Sequence, residues 1–548
     1  MNRACKIIVI GAFLFAAISF AVEERYTKDI IITIDARHPT ENTFPNIVSN
    51  INCWQLGNSF VDPKMEFPEY CVFDYVKWVQ LMLCSGGSET RDLFKDPKNR
   101  ENLTDYDFGL LIKNCEGILR LGAKPYLKLG AVPLKYTTAP KLNNYYAGFN
   151  IYPPDSYKQY YEYIKALIQA LVDFFGKEEV LSWRFGCLVE YENGSHYRAL
   201  NGKPEDSFIE YCKLYDYTAQ ALTEVLGNDV FIGAHSMSVL DGLWDERDFI
   251  EHAAKGRNYA NGKIGTKLSS LSVSFYDNAP GSLSLRSLAN TIQPLQEKAR
   301  ECGLNNLIYG VDEGRVLRGE KGKYSADLNS RATGYTWQAV EDARLFLQAI
   351  ELGMDYFSVW NYLTGGNFNG YPTVSYHLAR NIAKLEGYKK LNILSQVKEH
   401  EEGEIGCLAG IKNDTVRIMI YNFSMDIYSN KIDNIELEVY LPFKEKGIKI
   451  VKWLIDDDCN YFDEWIEDRK KYNISDSAFR WSPDDGEVEA VLIEPKSKEF
   501  YRNKLRQKYM LCSQLNPDTS IIKTRAGLYK KLCKLKRNNV FFLEVTKR

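Results

Sequence analysis

Short apolar runs alternate with long amphipathic segments from about residue 45 to residue 365. The runs are VSNINCW (48–54), VQLMLCS (79–85), AKPYLKLG (123–130), LSWRFGCLVE (181–190), DVFIGAHS (229–236), LSSLSVSFYD (268–277), NLIYGVDEG (306–314) and MDYFSVWNYL (354–363). Between them, segments such as SYKQYYEYIKALIQALVDFFG repeat apolar residues three and four apart and close on a glycine, which predicts helices. Nearly continuous apolar strands alternating with helices predict parallel strands that are covered on both faces.

The number of runs favours one architecture. Eight strands, each followed by a helix, are what a (β/α)8 barrel requires, so we predict a TIM barrel over residues 45–395. A doubly wound open sheet is the alternative. No run leads into GxGxxG or GxxxxGKS/T, the phosphate-binding sequences that would favour the open sheet.

After residue 395 the pattern changes to alternating apolar and polar residues separated by turns. The segments are EIGCLAGIKNDTVRIMIYNFS, IDNIELEVYLPF, IKIVKWLID and GEVEAVLIEPK. This alternation is typical of antiparallel sheet exposed on one face, and it predicts a β-sandwich over residues 396–500. The run DIIITIDAR (29–37) predicts a strand within residues 22–44, which we expect to join the sandwich. The predicted fold class is therefore α/β, a TIM barrel with a C-terminal antiparallel β-sandwich.

The two ends of the chain differ from the rest. Residues 1–21 contain Arg3 and Lys6 near their start, continue through an apolar stretch and end in Ser-Phe-Ala, which is the pattern of a cleaved signal peptide. A retained membrane anchor is the alternative. The signal predicts a secreted or periplasmic protein with no membrane contact after its removal.

Residues 501–548 hold 13 lysines and arginines against two acids, which predicts a solvated basic tail. A tail that binds polyanions or surfaces is the alternative.

The composition of the chain excludes few classes of protein or of binding site. The chain of 548 residues is 45% hydrophobic and 26% charged, as in ordinary globular proteins. Its 13% aromatic content suits sugar binding, although most aromatic residues are usually core. The cysteines are scattered without a CxxC pair, and the six histidines form no HExxH motif. No metal, no cofactor and no nucleic-acid partner is therefore predicted.

Two of the barrel runs end in acids, and the active site of such a barrel lies at the C-terminal strand ends. The fourth run ends in Glu190, with Glu192 just beyond it, and the seventh ends in Glu313 followed by Arg315. Carboxylates on these two strands face each other across the mouth. Such a pair suits cleavage of a glycosidic bond, which needs one protonated and one ionised carboxyl group. Arg315 or Tyr276 is expected to support the ionised one; capping a helix or pairing with an arginine is the structural alternative for each acid.

Several segments also resemble one family of glycosidases. They are LGAKPYLKLGAVP (121–133), YYEYIKALIQALVDFFGKEEVLSWRF (160–185), GMDYFSVWNYL (353–363) and GCLAGIKNDTVRIMIYNFS (406–424). In order and spacing they are similar to glycoside hydrolase family 39, which contains β-xylosidases and α-L-iduronidases, over most of residues 45–430. The resemblance implies a retaining glycosidase whose partner is a carbohydrate, a plant- or host-type oligo- or polysaccharide.

The resemblance also implies roles for individual residues. It places Glu190 on the general acid/base and Glu313 on the nucleophile. Positions that contact substrate in the family fall on Tyr276, Asn278 and Trp360, the last of which would floor the first sugar subsite. Further candidates for substrate binding are Trp54, His235, Asn361 and Arg315, with plain packing or structural hydrogen bonding as the alternative for Trp54 and His235.

The sequence departs from the family pattern at several of these places. Val189 stands where the family has an asparagine that holds the sugar 2-hydroxyl, Glu192 falls on another asparagine, and Lys128 replaces a third-strand glutamate. Residues 85–92, SGGSETRD, lack the expected R-x-H-G. The resemblance therefore implies a remodelled subsite. Two alternatives remain open: a non-catalytic carbohydrate-binding protein on the same barrel, and Glu192 rather than Glu190 as the acid.

Overall fold

The computed structural model describes residues 30–53, 56–57, 60–63, 71–143, 148–237, 241–277, 286–316, 336–359, 372–394, 398–400, 402–444, 447–473, 495–524 and 527–548. The predicted signal peptide and most of the predicted strand GEVEAVLIEPK lie outside these residues. No helix in the described part of the chain has both the length and the apolar character needed to cross a bilayer.

The strands carry the architecture. They are β1 (Ile30–Asp35), β2 (Asn50–Cys53), β3 (Trp78–Leu81), β4 (Lys124–Leu129), β5 (Arg184–Cys187), β6 (Phe231–Ser236), β7 (Ser270–Asp277), β8 (Ile308–Val316), β9 (Tyr356–Val359), β10 (Lys389–Lys390), β11 (Lys398–His400), β12 (Gly403–Lys412), β13 (Thr415–Ser424), β14 (Ile432–Tyr440), β15 (Gly447–Ile455), β16 (Asp518–Lys523), β17 (Leu528–Lys536) and β18 (Asn539–Lys547).

Helices fill the long connections between these strands. They are α1 (Gly109–Arg120), α2 (Tyr157–Phe175), α3 (Lys177–Leu181), α4 (Pro204–Leu226), α5 (Glu246–Lys255), α6 (Leu288–Glu301), α7 (Thr336–Glu351), α8 (Val374–Ala383), α9 (Phe462–Lys471), α10 (Pro495–Phe500) and α11 (Arg506–Cys512). The helix predicted before the fourth barrel strand is α2; it starts after Ser156, whose side chain accepts a hydrogen bond from the Gln159 backbone, and ends at Gly176 with φ 87°.

Strands β2 to β9 form one parallel sheet in sequence order, and all eight predicted barrel runs supply a strand. The first and last strands also meet, because the Phe357 backbone N–H donates to Ile47 O at 2.6 Å. The Asn52 side chain adds a bond to Val359 O at 3.2 Å. The sheet therefore closes on itself, as the predicted TIM barrel requires, and the C-terminal strand ends meet in one mouth.

Two sheets pack face to face beyond the barrel. One has the order β1-β14-β17 and the other β10-β12-β13-β18-β15-β16, with β11 paired to β12. Strands β12 and β13 form a hairpin turned by two residues, of which Asn413 has φ 53°, as a tight hairpin requires. The inward side chains of both sheets form one apolar core. Helix α7 joins this sandwich to the barrel, because Trp337 Nε1 donates to Ser424 O at 2.7 Å.

The expectation of a solvated basic tail over residues 501–548 is wrong. Strand β18 lies at the centre of the larger sheet between β13 and β15, and β17 pairs with β14. In β17, Tyr529, Cys533 and Leu535 are buried while Lys530 and Lys534 are exposed. The basic residues thus occupy the outer face of a half-buried strand, where their charge dominates the local composition and hides the alternation beneath it.

This alternation predicts that replacing each of two leucines in β17 will change the free energy of unfolding by different amounts. Replacing Leu535, which is 2% exposed, with alanine should lower the free energy of unfolding by about 2–5 kcal/mol because a buried side chain leaves a cavity. Replacing Leu532, which is 43% exposed in the same strand, should change it by less than about 0.5 kcal/mol. Urea unfolding followed by circular dichroism measures both. Equal losses would contradict the inward and outward assignment.

Candidate active site

Glu190 lies just beyond β5 in a segment with unusual backbone geometry. Leu188 has φ 65° and Glu190 has φ 51°, both in the left-handed region. The segment is held on one side by Leu188 N–H, which donates to Leu129 O at 2.5 Å, and on the other by Tyr191 N–H, which donates to His235 O at 2.9 Å. Non-glycine residues adopt such conformations at a cost and cluster at functional sites. The strand therefore ends before its first acid, and simple side-chain alternation does not decide the direction of either glutamate.

Gly130 makes this segment possible. Its φ is 105°, and a β-carbon there would lie 2.8 Å from the Leu188 backbone nitrogen. Only glycine allows the ends of β4 and the residues after β5 to approach so closely.

The Glu190 carboxyl group is 6% exposed and is held by residues that follow it in the chain. Asn193 Nδ2 donates to Glu190 Oε2 at 2.7 Å. The Nδ1 atom of His196 lies 3.5 Å from the same oxygen and 3.1 Å from Val189 O. Because a carbonyl oxygen only accepts, Nδ1 carries the proton in this arrangement. Sequence reasoning missed both partners; their signal was two polar residues three and six positions after the acid.

Glu313 is presented by a β-bulge in β8. Val273 of β7 pairs with Val311 and Ser274 pairs with Glu313, so Asp312 is an extra residue in the strand. The pairing of β8 with β9 shifts at the same place. A bulge of this kind re-aims side chains and is common beside active sites. It lets the consecutive residues Asp312 and Glu313 both make contacts on the inner side of the barrel.

The two acids of the bulge have different surroundings. Glu313 is 7% exposed, and its Oε1 accepts a hydrogen bond from the Tyr276 hydroxyl at 2.5 Å. Asp312 is fully buried and reaches into the barrel, where Lys128 Nζ donates to its Oδ2 atom. Burial would raise the pKa of Asp312, but Lys128, His235 and the hydrogen bond from Ser272 together outweigh that effect, so the pKa is lowered. The third-strand lysine, noted in the sequence as a departure, is thus the counter-ion of Asp312.

His235 lies between the two acid-bearing segments and has no exposed surface. Its Nε2 is 2.9 Å from Ser274 Oγ, and its Nδ1 is 3.8 Å from Asp312 Oδ2. Burial lowers the pKa of His235 to about 4, against the opposing charges of Asp312 and Glu190. The imidazole is therefore neutral at neutral pH. This placement fits the structural alternative for His235 better than direct contact with a substrate.

A separate apolar cluster covers the barrel mouth. Its buried members, which we call the mouth cluster, are Met82, Leu83, Ala131, Phe149, Ile151, Val189 and Tyr276. They come from the ends of four barrel strands and from the connection between β4 and α2. Val189 precedes Glu190, and Tyr276 binds Glu313, so the cluster joins the two acidic segments across the mouth.

Glu192 is completely buried and anchors a neighbouring strand instead of facing the mouth cluster. Its Oε1 accepts hydrogen bonds from Ser236 Oγ at 2.6 Å and from the Met237 backbone N–H at 2.7 Å. Its Oε2 has no hydrogen-bond partner among the described residues. Burial raises the pKa of Glu192 well above its ordinary value. These contacts favour Glu190 over Glu192 as the acid of the pair.

The buried carboxyl group of Glu192 predicts a specific pH dependence of stability. Because its folded-state pKa is raised, the folded chain keeps a proton that the unfolded chain releases above about pH 4.5. Stability is therefore lost as pH rises from that value, by up to about 1.4 kcal/mol per pH unit. Glu192→Gln should remove this loss, so the variant should gain stability over the wild type between pH 5 and pH 8.

Urea unfolding at several pH values measures this effect. Glu205→Gln, a change of the same chemistry at an exposed residue in the first turn of α4, is the control and should leave the pH dependence unaltered. Parallel pH profiles for wild type and Glu192→Gln would contradict the assignment.

The remaining candidates lie wholly or partly outside the described residues. Trp54, Asn278, Trp360 and Asn361 lie outside the described residues, and Arg315 is described in its backbone alone, as part of β8. Within the described residues, no group of three or more histidine, cysteine, aspartate or glutamate side chains is arranged to hold a metal ion.

Comparison with known proteins finds similarity to one family of glycosidases. Residues 93–303 match the family model described as glycosyl hydrolases family 39. A β-xylosidase of Caldicellulosiruptor saccharolyticus is 22% identical over 390 residues, which cover 68% of this chain and 74% of that protein.

Two solved structures share the fold. A monomeric β-xylosidase from Caulobacter crescentus CB15 has a TM-score of 0.65 at 13% identity, with 94% of this chain and 99% of that chain covered. A GH39 enzyme from Xanthomonas axonopodis pv. citri has a TM-score of 0.65 at 12% identity, with 96% and 99% covered. The matched family region and the barrel with its sandwich indicate a glycosidase that is similar to the enzymes of family 39 and divergent from them in sequence.

Proposed function

We propose that the protein is a retaining glycosidase in which Glu190 is the general acid/base and Glu313 the nucleophile. The observation that supports this most directly is the pair of carboxyl groups at the ends of β5 and β8, one held by Asn193 and the other by Tyr276. A hydroxyl donor favours the ionised form of the carboxylate that it binds, which is the form a nucleophile must have.

The Glu190 contacts suggest how its proton is delivered. Asn193 Nδ2 donates to Oε2, so Oε1 is the oxygen that would carry the proton to the leaving group. Glu313 would attack the anomeric carbon and form a glycosyl–enzyme ester while Glu190 protonates the glycosidic oxygen. Glu190 would then take a proton from water, which releases the sugar with its configuration retained. The mechanism predicts a separation of about 5–5.5 Å between the two carboxyl groups.

The substrate is proposed to be a plant- or host-type oligo- or polysaccharide with a glycone recognised differently from that of the relatives. The relative from Caldicellulosiruptor saccharolyticus is a β-xylosidase. Here Val189, which stands on an asparagine position of the family pattern, belongs to the apolar mouth cluster. An apolar side chain offers no hydrogen bond to a sugar hydroxyl, so the sugar preference is expected to differ.

A panel of p-nitrophenyl glycosides of xylose, arabinose, galactose and uronic acids tests the proposal. Hydrolysis of one or more, with the retained anomer appearing first in the proton NMR spectrum, is the expected result. First appearance of the inverted anomer would overturn the retaining assignment. Binding of a glycan without release of any reducing end would instead support the non-catalytic carbohydrate-binding protein.

We also propose export, on the basis of residues 1–21. The expected result in the native host is a mature protein that begins after Ala21 and is recovered outside the cytoplasm. Recovery of the uncleaved chain from the cytoplasmic fraction would contradict this.

A further inference from the structure

A buried ion pair lies directly beside the carboxylate that we propose as the nucleophile. Lys128 of β4 and Asp312 of β8 both have fully buried side chains, and the Lys128 ammonium donates to Asp312 Oδ2. Lys128 Nζ also donates to the Tyr126 hydroxyl at 3.0 Å and lies 4.3 Å from the centre of that ring. Burying two charges is costly, so such a pair is weak evidence of stabilisation and calls for another explanation.

Asp312 accepts hydrogen bonds from residues on most of the barrel strands. Its Oδ2 accepts from Ser272 Oγ at 2.5 Å, and its Oδ1 accepts from Tyr356 OH at 2.6 Å and from Gln80 Nε2 at 3.2 Å. Its backbone oxygen accepts from Asn52 Nδ2 at 3.1 Å. With Lys128, these donors come from five other strands. The carboxylate is therefore saturated with hydrogen bonds, and its position in the bulge is fixed.

Glu313 follows Asp312 in the same bulge, so the position of one determines that of the other. The bulge has no regular ladder partner at Asp312 to hold it. Its place in the barrel is instead set by the bonds of the Asp312 side chain and backbone. A displacement of about 1 Å at a reacting group lowers rates by about 100-fold, so this anchoring bears on catalysis.

The pair also determines the charge near Glu313. Lys128 and Asp312 neutralise each other, and burial leaves any excess charge poorly screened. The other titratable groups around the pair are Tyr126 on β4, His235 on β6 and Tyr356 on β9, with Glu190 near His235. Tyr276 on β7 faces Glu313 itself.

We infer that the Lys128–Asp312 pair is a positioning element for Glu313, which holds the bulge in place and keeps the local charge near zero. The inference rests on the proposed role of Glu313. Lys128 and Asp312 touch no reacting atom in this scheme and act only through the neighbouring glutamate.

Three variants test the pair through the pH profile of kcat/KM, measured with whichever p-nitrophenyl glycoside of the panel is cleaved fastest. Asp312→Asn leaves the Lys128 cation without a counter-ion. Because a nearby positive charge lowers the pKa of a carboxyl group, the acid limb of the profile should move to lower pH by about 1 unit or more. Lys128→Met leaves two adjacent carboxyl groups that titrate together and should move the limb to higher pH. The double variant should return it to within about 0.5 unit of the wild type, since no excess charge remains.

The double variant also tests the anchoring separately from the charge. It has no unpaired buried ion and is expected to fold. Because the bulge loses its charged anchor, kcat should fall by about 10-fold or more while KM stays within about twofold. This measurement decides the question even where a single variant fails to fold, and a wild-type kcat in the double variant would overturn the positioning role.

Lys135→Met is the matched control. Lys135 also has a fully buried side chain and pairs with an acid, Asp105, at 2.6 Å, but lies in the connection after β4. Its loss should leave the acid limb in place. An unshifted limb in both single variants would overturn the charge argument. Full turnover by Glu313→Gln would instead overturn the proposed function, so the two failures are distinguishable.

Discussion

Replacing Glu313 with glutamine is expected to abolish turnover, with a loss in kcat on the order of 10⁴-fold or more, while the barrel stays folded. Glutamine has the same shape, and its amide oxygen still accepts the hydrogen bond that Tyr276 donates to Glu313 Oε1. What it lacks is the negative oxygen that we propose as the nucleophile. The steady-state rate on the best glycoside of the panel measures the loss, and circular dichroism and the urea midpoint report the fold.

The companion change at Glu190 should have a different signature. Glu190→Ala removes the proton donor, so glycosides with poor leaving groups should slow by about 10²–10⁴-fold. The leaving group of an activated p-nitrophenyl glycoside needs little protonation. The rate of the first step, which forms the glycosyl–enzyme ester, should therefore fall much less. Added azide should then restore turnover by attacking the glycosyl–enzyme ester where water is no longer activated, and it should not restore Glu313→Gln.

Glu192→Gln is the control for both changes. It replaces a carboxyl group two residues from Glu190, but that group is bound by Ser236 and Met237. Its kcat should stay close to that of the wild type. Loss of activity in this variant together with an active Glu190→Ala would exchange the roles of the two glutamates.

Replacing Lys128 with methionine is expected to lower the free energy of unfolding by about 3–5 kcal/mol at neutral pH. The reason is that Asp312, with no exposed surface, would be left as a buried charge without its cation. Adding Asp312→Asn should recover most of this loss, because two neutral side chains of similar volume replace the ions. Urea unfolding of the four proteins forms a double-mutant cycle that isolates the pair.

The pH dependence of this loss follows from the pKa shifts. Burial would raise the pKa of Asp312, but Lys128, His235 and Ser272 together outweigh it, so the folded-state pKa lies below the ordinary 3.8. The stability that this shift contributes is present above pH 3.8 and is lost as pH falls below it. Burial would lower the pKa of Lys128, but Asp312 and Tyr126 together outweigh it, so the pKa is raised above 10.5. The stability that this shift contributes is present below pH 10.5 and is lost as pH rises through the folded-state value. The deficit of Lys128→Met should therefore shrink at both extremes. A deficit independent of pH would point to lost packing alone.

Periodicity was sufficient to predict the barrel. All eight apolar runs supply strands β2 to β9, and the sandwich patterns after residue 395 supply β12 to β15. These predictions rest on side-chain alternation and helical spacing, which are local properties of the chain. Residues 501–548 show where local patterns mislead, because the lysines on the outer face of β17 dominate the composition of a segment that also contains the long, fully paired strand β18.

The site was predicted in part. The strand-end positions of Glu190 and Glu313 followed from barrel geometry, and the donor to Glu313 was among the expected groups. Asn193 and His196 were missed because a turn brings them back onto Glu190. Lys128 was noted as a departure, but its partner lies 184 residues away on another strand. No local pattern pairs two such residues.

The sequence by itself determined which segments form strands, which faces are apolar and which strands are followed by or contain an acid near the mouth, because each of these depends on residues a few positions apart. Only the tertiary structure decided the bulge that presents Asp312 and Glu313 together, the left-handed turn that carries Glu190 and the burial of Glu192. These features depend on strands that meet only when the barrel closes. The register of the backbone and the pairing of buried charges are then set by residues far apart in the chain.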